Sequence, residues 1–253
     1  MIPRGRLKFL RSLRLKKARD REGLFLAEGL NAVEEAAAHG RVRELFLGEE
    51  ANSLPRTREL LARGLPVQRL GPAEVKQLAD TKTPSGVFAL VEDPCRPLVG
   101  ARLPKEALVL VAAGVADPGN LGTLIRTAAA LGAAAVVAAA DTVEPTNPKV
   151  VRATAGALFR IPVLKGEAAA LKAMGFRVLV ADARGEPVSG WRARPARLAL
   201  AVGNEPRGTP ADVVALADGA LGIPLDAGVE SLNVAVAAGI LLHALRALPV
   251  DSR

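Results

Sequence analysis

The sequence predicts a two-domain α/β protein whose C-terminal domain is a parallel sheet covered by helices. Three observations support this fold class. The second half alternates continuous apolar runs, typical of strands buried on both faces, with helical patterns. The first part is a shorter mixed α/β pattern, and Pro94, Pro97, Gly100 and Pro104 crowd between the two parts. We therefore expect an N-terminal domain at residues 1–93, a linker at 94–105 and a C-terminal domain at 106–253.

The elements follow from these patterns in chain order. In the N-terminal domain, the sequence LFLAEG predicts a strand and a turn, and Gly40 ends a helix at 30–39. Strands are expected at 42–48, 67–70 and 87–91, and helices at 57–63 and 72–78. In the C-terminal domain, strands are expected at 108–113, 134–140, 177–181, 198–202 and 220–223, and helices at 121–131, 149–158, 168–174 and 232–248. Ligands of such sheets collect at the carboxyl ends of the strands.

The counts of Cys, His and Tyr exclude several kinds of chemistry. Cys95 is the single cysteine, and His39 and His243 are the two histidines. A disulfide framework, a Cys-cluster zinc site and a Ser-His-Asp triad are therefore not expected, and we expect no metal. Tyr is absent and Phe and Trp total seven, so a broad aromatic platform for RNA bases is not expected either.

The apolar segments favour a protein of the cytoplasm. The longest uncharged apolar run, residues 128–140, has 13 residues. A membrane-spanning helix needs about 20 residues. The basic N-terminus lacks a following apolar stretch with a cleavage site, so it does not resemble a secretory signal.

The positive charge is concentrated at the N-terminus. The whole chain carries 34 Lys and Arg against 26 Asp and Glu, a net charge of 34 − 26 = +8. Residues 1–21 have nine basic residues against Asp20, so their balance of 9 − 1 = +8 equals that of the chain. A solvated helix face is the alternative, but this concentration favours contact with a phosphate backbone. The candidate RNA-binding residues are Arg4, Arg6, Lys8, Arg11, Arg14, Lys16, Lys17 and Arg19. Interleaved Leu7, Phe9, Leu10 and Leu13 suggest that one face docks on protein.

Three loops that follow strands carry the candidate functional residues. The first reads AGVADPGNLGTLIRTAAALGA, where Leu121, Leu124, Ile125 and Ala128 form an inward stripe and Arg126 faces away from the core. The second, VGNEPRGTP, has glycines that allow a ligand to approach the backbone. The third, IPLDAGVESLNVAVAAGILLHALR, predicts Ser231 as the N-cap of a helix that is apolar almost all round. Such a helix must be buried by its own domain or by a second subunit.

Together and in this order, NLGTLIRTAAALGA, VGNEPRGTP and IPLDAGVESLNVAVAAGILL resemble the three motifs of the SpoU/TrmH family of RNA 2′-O-ribose methyltransferases, in the SPOUT superfamily. The segment VRATAGALFRIPV is also similar to the family. KKARDREGLFLAEG and LADTKTPSGVFALVE resemble its N-terminal substrate-binding domain, so the resemblance covers nearly the whole chain. Pro206 departs from the family, which usually has Gly there, and Pro removes an amide donor from this loop.

The resemblance implies an S-adenosylmethionine-dependent enzyme with a deep trefoil knot that forms both the cofactor pocket and a homodimer interface. It implies a catalytic set of Asn120, Arg126, Glu205, Ser231 and Asn233. It implies cofactor contacts at Gly203, Asn204, Gly208, Ile223, Pro224, Leu225 and Leu232.

Methyl transfer to a ribose hydroxyl needs positioning, exclusion of water and removal of one proton. A guanidinium is always charged, so we expect Arg126 to orient an RNA phosphate or the hydroxyl rather than to accept the proton. The RNA is expected to be ribosomal, with transfer RNA as an alternative. Two different functions stay open: a non-catalytic RNA-binding protein of ribosome assembly, and an enzyme that methylates a base nitrogen.

Overall fold

The structure is a computed structural model that describes residues 2–204, 208–226 and 229–251, with only the backbone of residues 52 and 53. It divides into two compact units. The N-terminal unit comprises Met1–Pro94 and Thr146–Arg160, and the C-terminal unit comprises Cys95–Pro145 and Ile161–Arg253. The segment Thr146–Arg160 therefore packs with the first unit although its neighbours in sequence belong to the second.

The strands are β1 (Leu24–Glu28), β2 (Val42–Gly48), β3 (Val67–Leu70), β4 (Val87–Glu92), β5 (Arg96–Pro97), β6 (Ala107–Ala112), β7 (Ala135–Ala138), β8 (Val163–Lys165), β9 (Arg177–Pro187), β10 (Arg194–Pro195), β11 (Arg197–Val202), β12 (Gly219–Gly222) and β13 (Val250–Asp251). The α-helices are α1 (Arg4–Ser12), α2 (Lys16–Glu22), α3 (Leu30–Ala38), α4 (Pro55–Leu61), α5 (Pro72–Leu78), α6 (Pro118–Ala130), α7 (Pro148–Ala153), α8 (Ala168–Ala173), α9 (Ala211–Leu216) and α10 (Val234–Ala247). Among the described residues, no helix is both long and apolar enough to cross a membrane.

The N-terminal unit is built on a four-stranded mixed sheet in the order β1-β4-β2-β3. Only β2 and β3 are parallel; β4 is antiparallel to both β1 and β2. Phe46 and Phe88 are fully buried in its core, where they cluster with Leu10 and Leu13 of the N-terminal basic segment. The apolar side chains of that segment thus dock on protein, as its helical spacing predicts.

The C-terminal unit contains the predicted parallel sheet. Its seven strands follow the order β12-β9-β11-β6-β7-β8-β5, and every neighbouring pair is parallel. All six residues of β6, at its centre, are buried. A fully buried Val or Leu side chain contributes about 1.5–3 kcal/mol, so these continuous apolar strands hold the unit together. The parallel α/β prediction is confirmed.

The proline-rich segment after residue 94 is attached to this sheet. Arg96 and Pro97 pair with Leu164 and Lys165 as an edge strand, and the side chain of Leu98 is fully buried. Proline lacks a backbone N–H, so an edge position accepts Pro97 without breaking a ladder.

Two element boundaries differ from the sequence prediction for identifiable reasons. The first motif helix begins at Pro118 rather than at residue 121, because Asp117 caps it and Pro favours the first helical turn. The helix predicted at 149–158 is two elements, α7 and a 3₁₀ turn at Ala157–Phe159. Between them Ala155 and Gly156 have φ of +49° and +93°, which an α-helix does not allow. Strand β8 and helix α9 were not predicted from the sequence.

Candidate active site

A cavity in the C-terminal unit lies at the carboxyl ends of three adjacent parallel strands. These strands are β12, β9 and β11, and the loops that follow β11 and β12 contribute Gly203 and Ile223 to the lining. The cavity and its open mouth together span about 670 Å³. Its walls are mostly apolar, with Leu221, Leu232 and Leu241 among them.

The loop after β11 forms a tight backbone cradle at the edge of this cavity. Asn204 N–H donates to Gly208 O at 3.0 Å, and Gly208 N–H donates to Asn204 O at 2.7 Å. A side chain on Gly203 would place its Cβ 2.3 Å from the carbonyl of Gly208 and the nitrogen of Thr209. Such a distance is impossible for a carbon atom, so this position requires glycine. Glycine here lets the two ends of the loop approach each other.

Most of the predicted cofactor residues meet in this cavity. The predicted residues that line it are Gly203, Asn204, Gly208, Ile223, Leu225 and Leu232. Pro224 is exposed and lies outside the lining, so only its neighbours on either side reach the cavity. Ser231, predicted as a catalytic residue, is also a lining residue.

Asn233 caps the last long helix, which corrects the predicted role of Ser231. The helix α10 begins at Val234, and Asn233 Oδ1 accepts hydrogen bonds from the N–H groups of Ala235 at 3.0 Å and Val236 at 3.3 Å. Ser231 lies two residues before the cap and is exposed. Asn and Ser are both good N-cap residues, so residue preference alone did not identify the right one.

The cap also connects two motifs that are far apart in sequence. Asn233 Nδ2 donates to Asn120 Oδ1 at 3.0 Å. Asn120 is held in turn by its backbone N–H, which donates to the Asp117 carboxylate at 2.8 Å in the cap of α6. Two predicted catalytic residues are therefore in direct contact, next to the lining residue Leu232.

Arg126 lies on the exposed side of α6. The predicted inward stripe is confirmed, because Leu121, Leu124, Ile125 and Ala128 are fully buried, whereas Arg126 is exposed. Six residues separate it from Asn120, a rise of about 9 Å along a helix. Within the described part of the chain, Arg126 is not a lining residue of the cavity and makes no hydrogen bond or ion pair. Glu205, the remaining predicted catalytic residue, lies outside the described residues, as do Pro206 and Arg207.

The predicted RNA-binding segment forms α1 and α2, and most of its basic side chains are exposed. The exposed members are Arg4, Lys8, Arg11, Arg14, Lys16 and Lys17. Arg14 also donates to the backbone carbonyls of Leu78 and Ala79, which attaches this surface to the end of α5.

The other two of the eight basic residues are less exposed and are held by structural partners. Arg6 forms an ion pair with Glu44, and its guanidinium lies 5.2 Å from the ring centroid of Phe9. Arg19 is only 4% exposed, and its guanidinium donates to the carbonyl of Leu13 at 3.1 Å and of Arg14 at 2.7 Å. Arg19 therefore does not belong to the exposed basic surface that the sequence predicts. It closes the turn between α1 and α2.

One charged residue of the cavity was not predicted from the sequence. Asp182 lies on β9 and lines the cavity with Ala181 and Ala183. It is the only ionisable side chain among the described lining residues. Its position in the sequence does indicate a role, because Asp182 directly follows an apolar run predicted as a strand. Ligand-binding residues collect at such positions.

Family models match both parts of the chain. Residues 107–243 match the SpoU rRNA Methylase family, and residues 5–89 match the MRM3-like substrate binding domain. The 23S rRNA (guanosine(2553)-2′-O)-methyltransferase RlmP of Bacillus subtilis is 36% identical over 247 residues, which cover 95% of this chain and 96% of that protein. The 23S rRNA (adenosine(1067)-2′-O)-methyltransferase of Streptomyces laurentii is 31% identical, over 76% of this chain and 75% of that protein.

Solved structures show the same architecture. The SpoU methyltransferase AviRb from Streptomyces viridochromogenes, solved in complex with the cofactor AdoMet, superimposes with a TM-score of 0.85 and 27% identity, over 96% of this chain and 97% of that one. An AdoMet-bound rRNA methyltransferase from Sinorhizobium meliloti gives a TM-score of 0.83 and 28% identity, over 97% and 95%. On sequence and structure alike, the chain belongs to the SpoU rRNA methylase family, whose members use S-adenosylmethionine as the methyl donor.

Proposed function

We propose that this protein transfers the methyl group of S-adenosylmethionine to a ribose 2′-hydroxyl of ribosomal RNA. One observation carries the proposal: the second and third motifs line one cavity, and Asn233 joins the first motif to it through Asn120. Two relatives that match most of the chain are named as 23S rRNA 2′-O-methyltransferases, which supports ribosomal RNA as the substrate.

The cavity fits S-adenosylmethionine on its own chemistry. Its apolar lining from Ile223, Leu225 and Leu232 suits the adenine ring and the methylene groups of the cofactor. Asn204 adds to the same lining an amide side chain, with a donor and an acceptor for the polar edge of the adenine. The cofactor supplies the methyl group on a positively charged sulfur, which is a ready leaving group.

The protein's own residues position the RNA and control one proton. The ribose hydroxyl attacks the methyl carbon as the carbon–sulfur bond breaks, and the sulfur becomes a neutral thioether. The hydroxyl proton leaves to an RNA phosphate oxygen or to solvent. Arg126 orients that phosphate and stabilises the negative charge that develops on the hydroxyl oxygen. Asn120, Asn233, Ser231 and Glu205 fix the ribose and the arginine.

A homodimer explains why Arg126 does not line the cavity of its own chain. On α10, Val236 and Ile240 are 51% and 41% exposed, one turn apart on the same face. Large apolar side chains exposed in this way favour a protein partner. Gly239 packs on Thr127, whose Cγ2 would lie 3.4 Å from a Cβ at residue 239, so Arg126 and Ile240 each adjoin this contact in sequence. We propose that Arg126 acts on the cavity of the second subunit across this face.

We also propose a knotted C-terminal unit, an RNA-binding N-terminal unit and a cytoplasmic location. The resemblance to the SPOUT superfamily supports a trefoil knot around the cavity, where Gly185 and Gly222 approach so closely that a Cβ at residue 222 would lie 2.7 Å from Gly185 O. The unit that matches the MRM3-like substrate binding domain binds RNA through α1 and α2. Because ribosomal RNA is the proposed substrate, the protein works in the cytoplasm.

Transfer of a labelled methyl group from S-adenosylmethionine to total RNA tests the function. The RNA comes from cells that lack this protein, so its target is unmodified. We expect label in ribosomal RNA, and label absent from all RNA would favour the non-catalytic RNA-binding alternative. Arg126→Ala should abolish transfer but leave cofactor affinity nearly unchanged, whereas exposed Arg192→Ala should keep both. Equal loss of transfer and affinity in Arg126→Ala would show that Arg126 is structural.

A further inference from the structure

Asp182 lies on the middle one of the three strands that border the candidate cofactor cavity. The strand β9 lies between β12 and β11, and it is parallel to both. The loops that follow β11 and β12 provide the predicted cofactor contacts, starting at Gly203 and Ile223. Asp182 lies two residues beyond Val180, the last residue of β9 that pairs with β11. Its carboxylate is therefore presented at the same edge of the sheet, between the two loops.

The backbone around Asp182 is fixed by close contact with β12. The pairing of β9 with β12 shifts register between Ala220 and Leu221, so that residues 181–185 of β9, with Asp182 among them, bulge out of the ladder. A Cβ at Gly222 would lie 3.0 Å from the carbonyl oxygen of Asp182, so glycine is needed for this approach. The backbone of Asp182 therefore lies directly against Gly222 of β12.

One carboxylate oxygen has a local partner. Asp182 Oδ1 accepts a hydrogen bond from the backbone N–H of Arg184 at 2.8 Å, and the Arg184 side chain, 93% exposed, lies 3.5 Å from the same oxygen. This bond orients the carboxylate. The Asp182 side chain is 41% exposed and lines the cavity, so a ligand can reach it.

The chemistry of the lining decides what this carboxylate binds. Among the described residues of the cavity it is the one ionisable group, in a wall that is otherwise mostly apolar. An ionised carboxylate only accepts hydrogen bonds, so its ligand must present donors. Adenosine presents a pair of adjacent donors in its ribose 2′- and 3′-hydroxyls. A carboxylate at a strand end that binds the ribose of a nucleotide is a known solution in parallel α/β sheets.

We infer that Asp182 is a specificity-determining residue that binds the ribose diol of S-adenosylmethionine and of its product S-adenosylhomocysteine. This inference rests on the proposed function. Asp182 distinguishes an adenosine ligand from one without the diol, and it holds the adenosine end of the cofactor while the methyl group is transferred.

Calorimetric titration of the full chain with three ligands tests the inference. The ligands are S-adenosylhomocysteine and its 2′-deoxy and 3′-deoxy analogues. The variant Asp182→Asn keeps the size of the side chain but loses its charge, and it should bind S-adenosylhomocysteine roughly 10- to 100-fold more weakly. At least one deoxy analogue should bind the wild type more weakly, and Asp182→Asn should weaken that analogue little further. This lack of additivity shows that carboxylate and hydroxyl interact directly.

A control variant and the pattern of affinities distinguish failure of the Asp182 assignment from failure of the proposed function. Glu186→Gln, an exposed carboxylate on the same strand and outside the lining, should leave all affinities unchanged. Equal weakening of all three ligands in Asp182→Asn would mean a structural role, and no weakening would mean no contact. A loss confined to S-adenosylmethionine, titrated in the same way, would place the carboxylate at the sulfonium. Each of these results overturns the ribose assignment alone. A wild type that binds neither cofactor nor product overturns the proposed function as well.

Discussion

Asn233 Nδ2 donates a hydrogen bond to Asn120 Oδ1 across 3.0 Å, while Asn233 Oδ1 caps α10. One amide side chain therefore starts a helix and joins the first motif to the third. An amide can do both because it carries an acceptor and a donor on the same group. This geometry predicts that the two roles can be separated by mutation.

Asn233→Asp should keep the helix cap but lose the connection to Asn120. A carboxylate accepts from the N–H groups of Ala235 and Val236, but it cannot donate to Asn120 Oδ1. We expect a free energy of unfolding within about 1 kcal/mol of wild type and methyl transfer that is at least roughly tenfold slower, since two acceptors now face each other. Asn233→Ala should lose about 1 kcal/mol of stability as well as activity. Urea unfolding and methyl transfer measure the two effects, and full activity of Asn233→Asp would show that the contact is dispensable.

Mixing two inactive variants should restore activity if Arg126 acts across a dimer. Arg126→Ala keeps its cavity, whereas Gly203→Ala keeps Arg126 but forces its Cβ into the Gly208 backbone. A mixed dimer then has one intact cavity served by the intact arginine of the other subunit. Random mixing should recover about a quarter of wild-type activity, because half of the dimers are mixed and each has one working site. No recovery, with subunit exchange verified, would place Arg126 at its own cavity.

Ile240→Asp should convert the proposed dimer into a monomer. The substitution puts a charge on the exposed apolar face of α10, where burial in an interface would be costly. Light scattering after size exclusion measures the mass. A matched charge at the exposed Val214 of α9 tests whether any added carboxylate has this effect. A wild type that is already monomeric contradicts the dimer.

Alanine substitutions of Lys17 and Arg19 should have different effects on RNA binding and stability, although the two residues are only two positions apart. Lys17 is exposed and Arg19 is buried against backbone carbonyls. Lys17→Ala should weaken binding to ribosomal RNA and lower the slope of log affinity against log salt by about 0.7 to 0.9, with unchanged stability. Arg19→Ala should lower the free energy of unfolding by about 1–3 kcal/mol, because it leaves those carbonyls unpaired. Equal effects of both variants on RNA binding alone would contradict this division.

Asp218 should make the C-terminal unit sensitive to acid. Its side chain accepts hydrogen bonds from Lys172 Nζ and from the N–H of Val178, each at 2.8 Å, and these bonds, the Lys172 bond foremost, lower the pKa of Asp218. A carboxylate whose pKa is lowered by folding stabilises the protein above its ordinary pKa, and this contribution is lost as the pH falls through the lowered value. Asp218→Asn should therefore cost on the order of 1 kcal/mol at neutral pH and less below about pH 4. Urea unfolding at several pH values measures the difference, which should be absent in Glu186→Gln.

The sequence was sufficient for the architecture of the sheet but not for its finer elements. Continuous apolar runs identified the strands around Val109 and Leu200 because both faces of these strands are buried. The three-residue strand β8 and the short helix α9 are too brief to show a period. Asp117 and Pro118 carried a helix-start signal, but apolar periodicity alone placed the predicted start at residue 121.

The sequence predicted which residues form the candidate site, but only part of their arrangement in space. Motif residues indicated which loops meet, and the cavity brings together Gly203, Leu225 and Ser231. Whether Ser231 or Asn233 caps α10 depends on the backbone of the preceding loop, which residue preference does not determine. Arg19 was assigned to the surface by charge, yet tertiary packing buries it between two helices. Charge pattern alone does not show that the guanidinium turns back to the carbonyls of Leu13 and Arg14.

Identification of the methylated nucleoside tests most directly whether this protein methylates a ribose 2′-hydroxyl of ribosomal RNA. Ribosomal RNA from cells that lack this protein is incubated with the purified chain and labelled S-adenosylmethionine, then digested to nucleosides. We expect label in a 2′-O-methylated nucleoside, with the methyl group on the ribose. Label on a base, or none in RNA that the wild-type protein binds, would contradict it.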